Sequence, residues 1–172
     1  MYPAAVDADT TGLYFLPHLL GERSPHWNAD ARGAFLGLAR HHGPADLARA
    51  VLEGVAFNLA TCVTAFREAG VRVDVVDAIG GGAASDLWLH ILADVWGATV
   101  RRRTIVEEAN SLGAAVTTAV AAGLVDDFSV ARGLSTVSAE FTPDPGRHAD
   151  YQERHVTFAD AYRRLEPWFS ET

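Results

Sequence analysis

The stretch "VRVDVVDAIGGGAASDLWLHILADVWG", Val71 to Gly97, constrains this chain more than any other. It reads as a strand, a glycine turn and a helix. Val and Ile are stiff at χ1 and suit a pleated, half-buried surface, so Val71 to Ile79 predicts a strand. Ser85 is a good helix N-cap, and Asp86 favours the positive end of the helix dipole. Leu87, Ile91 and Val95 supply an apolar stripe. Asp86, His90 and Asp94 fall on another face that reads as solvated, and Gly97 stops the helix. Ala98 to Ile105 then reads as a second strand and Ala109 to Ala122 as a helix of small residues, halted at Gly123. Strands alternating with helices predict an α/β domain with a largely parallel central sheet.

The flanks add four elements. Residues 1–11 are small and polar and read as frayed. Gly12 to Leu16 reads as a short strand ended by Pro17. Residues 21–43 have loop composition, with large side chains among the glycines. Pro44 opens a long helix that Gly70 ends, with Leu47, Val51, Val55, Asn58 or Leu59, Cys62 and Phe66 at helical spacing. Gly54, in its middle, costs about 1 kcal/mol relative to Ala, which points to close packing of another element or to a ligand. A polar loop with Pro143 and Pro145 precedes a last amphipathic helix with the stripe Tyr151, Phe158, Tyr162, Leu165 and Phe169.

Bulk properties exclude several function classes. A chain of 172 residues with 49% hydrophobic content fits one domain, residues 1–172, able to bury a substantial core. A net charge of −8 without a basic run does not suit nucleic acid. Arg101-Arg102-Arg103 reads as part of one strand and its edge, with a binding patch as the alternative. The sequence shows no long apolar run and no basic segment leading into one, so neither a membrane span nor a secretory signal is expected. The single cysteine, Cys62, reads as a buried, inert thiol in a reducing, cytoplasmic compartment. All 14 basic residues are arginine. Without lysine the chain itself cannot supply a Walker A loop, the strand lysine of a protein kinase or a Schiff base.

Gly80-Gly81-Gly82 is the strongest candidate for chemistry. Backbone N–H groups at a strand-to-helix turn favour an anion or a nucleotide, and glycine lets a flat base lie against the chain. A tight turn without a ligand explains the same residues. The spacing is not the G-x-G-x-x-G dinucleotide fingerprint. In Gly21-Glu22-Arg23-Ser24-Pro25-His26-Trp27 the charged pair suits either an internal ion pair that fixes the loop or a rim for phosphate or sugar. His41-His42 and His90 lack partners at metal-ligand spacing.

Four ordered blocks resemble the FGGY family of carbohydrate kinases, close to its xylulokinase branch. They are "GLYFLPHLLGERSPHWNADARGAFLGL" (Gly12 to Leu38), "LARAVLEGVAFNL" (Leu47 to Leu59), "AIGGGAASDLWLHILADVWG" (Ala78 to Gly97) and "EEANSLGAAVTTAVAAGL" (Glu107 to Leu124). The terminal "YQERHVTFADAYRRL" is similar to that family's closing helix. The resemblance implies an actin-like (ribonuclease-H-like) ATPase domain, the C-terminal half of a two-domain sugar kinase. It implies ATP and Mg²⁺ as ligands, transfer of the γ-phosphoryl to a sugar hydroxyl, and a sugar held mainly by an N-terminal half. Gly80, Gly81, Gly82, Ala83 and Ser85 match the family's adenosine motif. Gly81 and Gly82 would lie against the adenine and ribose, with Ser85 at the base edge. The helix from Glu53-Gly54 to Thr64 and the helix at Gly113 would form other walls, and Gly21 to Pro25 would lie near the cleft.

The sequence also departs from that family. His90 stands where Gln is frequent, and Ala84 where Arg is frequent. The family's catalytic Asp and its phosphate-contacting Gly-Thr hairpin have no match here. The resemblance therefore implies missing N-terminal strands and a chain without its own catalytic base: a fragment, one subunit of a split pair, or a remnant. Such a half should expose a sheet edge and a bare face, and should self-associate or take a partner chain carrying the other half. D-xylulose, gluconate or another pentulose fits as the sugar. A non-catalytic interaction module that keeps the fold is a further alternative.

Overall fold

The computed structural model describes residues 5–105 and 108–171. Its elements run β1 (Tyr14–Leu16), β2 (Ala34–Leu36), α1 (Pro44–Glu68), β3 (Val75–Ala78), α2 (Asp86–Trp96), β4 (Thr99–Arg103), α3 (Ala109–Ala121), β5 (Val137–Phe141) and α4 (Pro145–Phe169). Short 3-10 turns cover Gly81–Ala84 and Phe128–Gly133. The boundaries at Pro44, Ser85 and a left-handed Gly97 follow the sequence signals, while α4 already starts at Pro145, capped by Asp144, where the sequence read as loop.

The sheet is mixed, which corrects the expectation of a largely parallel one. β3 and β4 pair in parallel across the α2 crossover, with Ala78 opposite Arg102. β5 then pairs antiparallel to β4. The arginine run lies on the central strand of this three-stranded sheet rather than at its edge. β1 and β2 form a separate antiparallel pair, so part of the expected 21–43 loop is strand. Both sheets contribute to one core: Leu16, Ala34 and Leu36 join Val76, Ala78, Val100 and Phe141 in the same apolar cluster. The expected stripe of α4 is confirmed, with Tyr151, Phe158, Tyr162 and Phe169 buried.

α1 buries a different face from the one its large side chains suggest. Ala50, Glu53, Gly54, Ala56, Phe57 and Ala60 point inward, while Leu59 and Phe66 are exposed. The reason is close approach to β1. A Cβ on Gly54 would lie 2.0 Å from the Phe15 carbonyl oxygen, so only glycine lets the strand cross there. Of the two explanations for Gly54, close packing holds. By length and composition α1 is apolar enough to cross a bilayer. It is instead the helix on which β1, α2 and α4 pack.

Glu53 is buried at 2% exposure on that same face. Its carboxylate accepts hydrogen bonds from Thr10 (2.7 Å), Arg49 (2.8 Å), Tyr151 (2.8 Å) and Arg154 (2.7 Å). Thr10 is therefore fixed, and Ala5 is buried as well, so residues 5–11 are not frayed. The Asp9 N–H donates to Asp46 in the first turn of α1. Burial raises the Glu53 pKa, but Arg154, Thr10, Tyr151 and Arg49 together outweigh it and hold the group below its ordinary value. Burial, with the Glu53 charge beside it, pushes the Tyr151 hydroxyl up to about 12.

The second polar anchor is Asp94. It is 4% exposed, not solvated as its spacing suggested. Its carboxylate accepts from the Asp144 N–H (2.8 Å) and from Arg147 Nε (2.7 Å), and so fixes the start of α4 on α2. His90 is exposed and meets the edge of Phe141.

Two outcomes follow from this packing. Gly54→Ala should lower stability by roughly 1–3 kcal/mol despite a better helix propensity, because β1 must move away. Urea denaturation reads this directly. Glu53→Gln should cost about 3–5 kcal/mol, since it leaves two buried-side arginines short of a counter-charge. The pH dependence has one sign. Burial holds His18 and His155 below the ordinary value of 6.5, so their contribution is complete above that pH and is lost as pH falls through the folded values. The Glu53 contribution is complete above its ordinary value of 4.5 and is lost at lower pH. The urea midpoint should be flat from about pH 7 to 8, decline below about 6.5 and drop again below about 4.5. A midpoint that rises on acidification would overturn this account.

Candidate functional site

β3 delivers the chain to Gly80, which adopts φ 78° and ψ 176°, a region open essentially to glycine alone. The 3-10 turn Gly81–Ala84 follows, held by the Ala83 N–H on the Gly80 carbonyl (2.9 Å) and the Ser85 N–H on the Gly82 carbonyl (3.2 Å). Then α2 begins, so the first N–H groups of an 11-residue helix open at this corner. The glycines face open space. A Cβ on Gly80 or Gly81 would meet nothing within 4 Å, and one on Gly82 would meet only the Trp88 indole, at 3.3 Å.

The two polar side chains at the corner have different roles. Ser85 is buried, and its hydroxyl caps α2 by accepting from the Trp88 N–H at 3.2 Å. Asp86 is the exposed one, and it accepts from Arg102 Nη1 at 2.7 Å. Ala83 is buried beneath the turn. The structure thus brings Gly80, Gly81, Gly82, Ala83 and Ser85 together at one corner, with their backbone rather than their side chains toward the outside. Asp86 and Arg102 complete it. Arg102 was legible only as one of three arginines, and its partner lies 16 residues away.

Behind the corner a groove of about 350 Å³ runs between the sheet and α3. Ile79, Ile105, Leu112 and Val116 give it an apolar floor, with Asp77 and Arg103 at its rim. Asp77 is held by Arg101 Nε at 3.0 Å. Gly113 lines this groove, and a Cβ there would meet nothing within 4 Å. Glu53 and Gly54 do not face this space; they are taken up by Arg154 and by Phe15.

A larger hollow, of about 390 Å³, lies in the 20–29 loop, away from the glycine corner. Glu22 anchors that loop, accepting from Ser24 N–H (2.7 Å) and Asn58 Nδ2 (2.9 Å). His18 Nδ1 lies 2.8 Å from the same carboxylate, off a good hydrogen-bond axis. Burial lowers the His18 pKa, so this is a neutral contact near pH 7. The glutamate therefore fixes the loop, but its partners are Asn58 and His18 rather than Arg23, which stacks over Trp27 at 5.7 Å. Cys62 is half-buried rather than buried, and burial with the nearby Glu22 charge raises its thiol pKa. The His41 and His42 rings touch each other, and among the described residues no cluster of His, Cys, Asp or Glu could hold a metal.

Residues 2–122 match the C-terminal domain of the FGGY family of carbohydrate kinases. The chain belongs to this family. It is 40% identical over 166 residues to the xylulose kinase of Escherichia coli (strain K12), covering 95% of this chain and 34% of that protein. Ligand-bound xylulose kinase from Lactobacillus acidophilus superposes with a TM-score of 0.85 at 29% identity, over 98% of this chain and 34% of that one. Gluconate kinase from the same organism gives a TM-score of 0.85 at 28% identity, again over 98% and 34%. The fold is that of the actin-like sugar kinases, and the chain spans about a third of the length of these relatives.

The corner itself can be tested by stability. Gly80→Ala should cost about 1–3 kcal/mol, because a Cβ is strained at this φ and ψ. Gly81→Ala, with nothing near its Cβ, should stay within about 0.5 kcal/mol of the parent. Equal losses in thermal or urea unfolding would contradict the geometry.

Proposed function

We propose that this chain is the nucleotide-side half of an ATP-dependent sugar kinase that passes the γ-phosphoryl group to a hydroxyl of D-xylulose or a related sugar. The observation that carries this is the open glycine corner at the end of β3 in a chain of this family. Gly81 and Gly82 lie against the adenine and ribose. Backbone N–H groups and the α2 N-terminus favour the negative charge that follows. A Mg²⁺ brought with the phosphates would neutralise part of that charge, and no described side chain of this chain is assigned to hold it. The chemistry asks for positioning and electrostatics more than covalent work.

No aspartate of this chain is assigned as the catalytic base. The base and most of the sugar pocket come from the remainder of the enzyme, joined in one polypeptide or supplied as a partner chain. We place that remainder against the groove of α3 and the exposed face of β3, where Val75 and Ile79 are about half-exposed. The same reading puts the protein in the cytoplasm, with its nucleotide. A second sugar is supported by one observation: gluconate kinase matches this fold as well as xylulose kinase does.

Calorimetry with ATP and a coupled assay with D-xylulose and gluconate test the proposal. The chain should bind ATP without phosphorylating either sugar, and adding the N-terminal half should restore turnover. Gly81→Leu should abolish ATP binding while the fold is kept. Efficient turnover by the chain alone would refute the division of labour. ATP binding that survives Gly81→Leu would refute the placement of the nucleotide.

A further inference from the structure

The three consecutive arginines of β4 divide across the sheet. Neighbouring side chains on a strand point to opposite faces. Arg101 and Arg103 turn to Asp77. Arg102 shares the inner face with Val100, which is fully buried. Its register partner is Ala78, two residues before Gly80, so its side chain runs beneath the glycine turn.

Three groups hold its guanidinium there. Its carbon lies 5.7 Å from the centre of the Phe141 ring on β5. Nη1 donates to Asp86 Oδ1 at 2.7 Å and, at the long limit of 3.5 Å, to the Ala83 carbonyl. One side chain thereby connects the sheet, the last part of the turn and the first residue of α2. Arg102 is mostly buried while Asp86 is mostly exposed, at 24% and 69%. A pair with one partner in solvent contributes little to stability, so its consequence is geometric. A planar guanidinium fixed on a ring sets both the height of the turn and the direction of the helix end.

We propose that Arg102 is a positioning residue for the nucleotide: acting through Asp86 and Ala83, it holds the glycine turn where a nucleoside triphosphate meets it. Its charge also offsets that of Asp86 at a corner that must accept a polyanion. The proposal rests on the nucleotide assignment made above and adds the residue that keeps this seat in register.

The experiment is a double-mutant cycle on the full 172-residue chain, with ATP as the titrant in calorimetry. Arg102→Ala should weaken ATP binding roughly tenfold, a misplacement effect rather than loss of a direct contact. Asp86→Ala should weaken it as well, and the double variant should be no weaker than Arg102→Ala, because the two act as one unit. Arg102→Lys should recover part of the affinity, since it keeps the cation and its apolar stem but not the planar fork. If Arg102→Ala fails to fold, Asp86→Ala and Arg102→Lys still read the same linkage through ATP affinity. An Arg102→Ala variant that binds ATP like the parent overturns the proposal and leaves the nucleotide assignment standing. Fully additive losses overturn it too, since Arg102 would then act independently of Asp86. A parent chain that binds no ATP, with or without the N-terminal half, overturns both.

Discussion

A single buried carboxylate organises this domain. Glu53 sits in the middle of α1 and takes hydrogen bonds from the N-terminal segment, from its own helix and from two residues of α4. The next residue, Gly54, lets β1 lie against the helix. The polar and the close-packed contacts are therefore adjacent, and they fix each other's spacing. If the carboxylate were unpaired, desolvation would expel it and α1 would turn. With its donors in place it specifies one rotation of a helix whose exposed Leu and Phe residues would otherwise make other packings comparable.

From that fixed helix the rest of the architecture follows. α2 packs on α1, with the Trp96 indole donating to the Ala56 carbonyl at 3.2 Å. Asp94 then seats the start of α4 on α2. With α2 in place, its N-terminal end is aimed outward at the end of β3. The corner carrying Gly80, Gly81 and Gly82 is thus a distant result of core packing. Its openness is local, since neighbouring atoms leave Gly80 and Gly81 free.

Much of this was legible in the sequence because the signals are local. Pro44, Ser85 and Gly97 mark helix ends through φ restriction and capping, which need no tertiary context. The strand-to-helix turn at the glycines could be read for the same reason. The inward face of α1 could not, because alanine and glycine become core only when another backbone comes close. Asp94 read as solvated, since its arginine is 53 residues away. β2 is three residues long, too short for alternation to show, and β5 was hidden in a stretch that read as polar loop. The family was legible from four blocks in order, whereas the split of roles among Arg101, Arg102 and Arg103 needed the register of the sheet.

Trp88 gives the glycine corner a property of its own. Its indole nitrogen lies where it would touch a methyl group on Gly82, so a fluorophore sits against the third glycine of the turn. The other three tryptophans lie in different surroundings: Trp27 in the 20–29 loop, Trp96 against α1, and Trp168 near the end of α4. Indole emission responds to polarity and to stacked rings within a few ångströms. The fold has thus placed an optical sensor beside this turn, and a chain in which the other three tryptophans are phenylalanine would report occupancy of that turn by its colour.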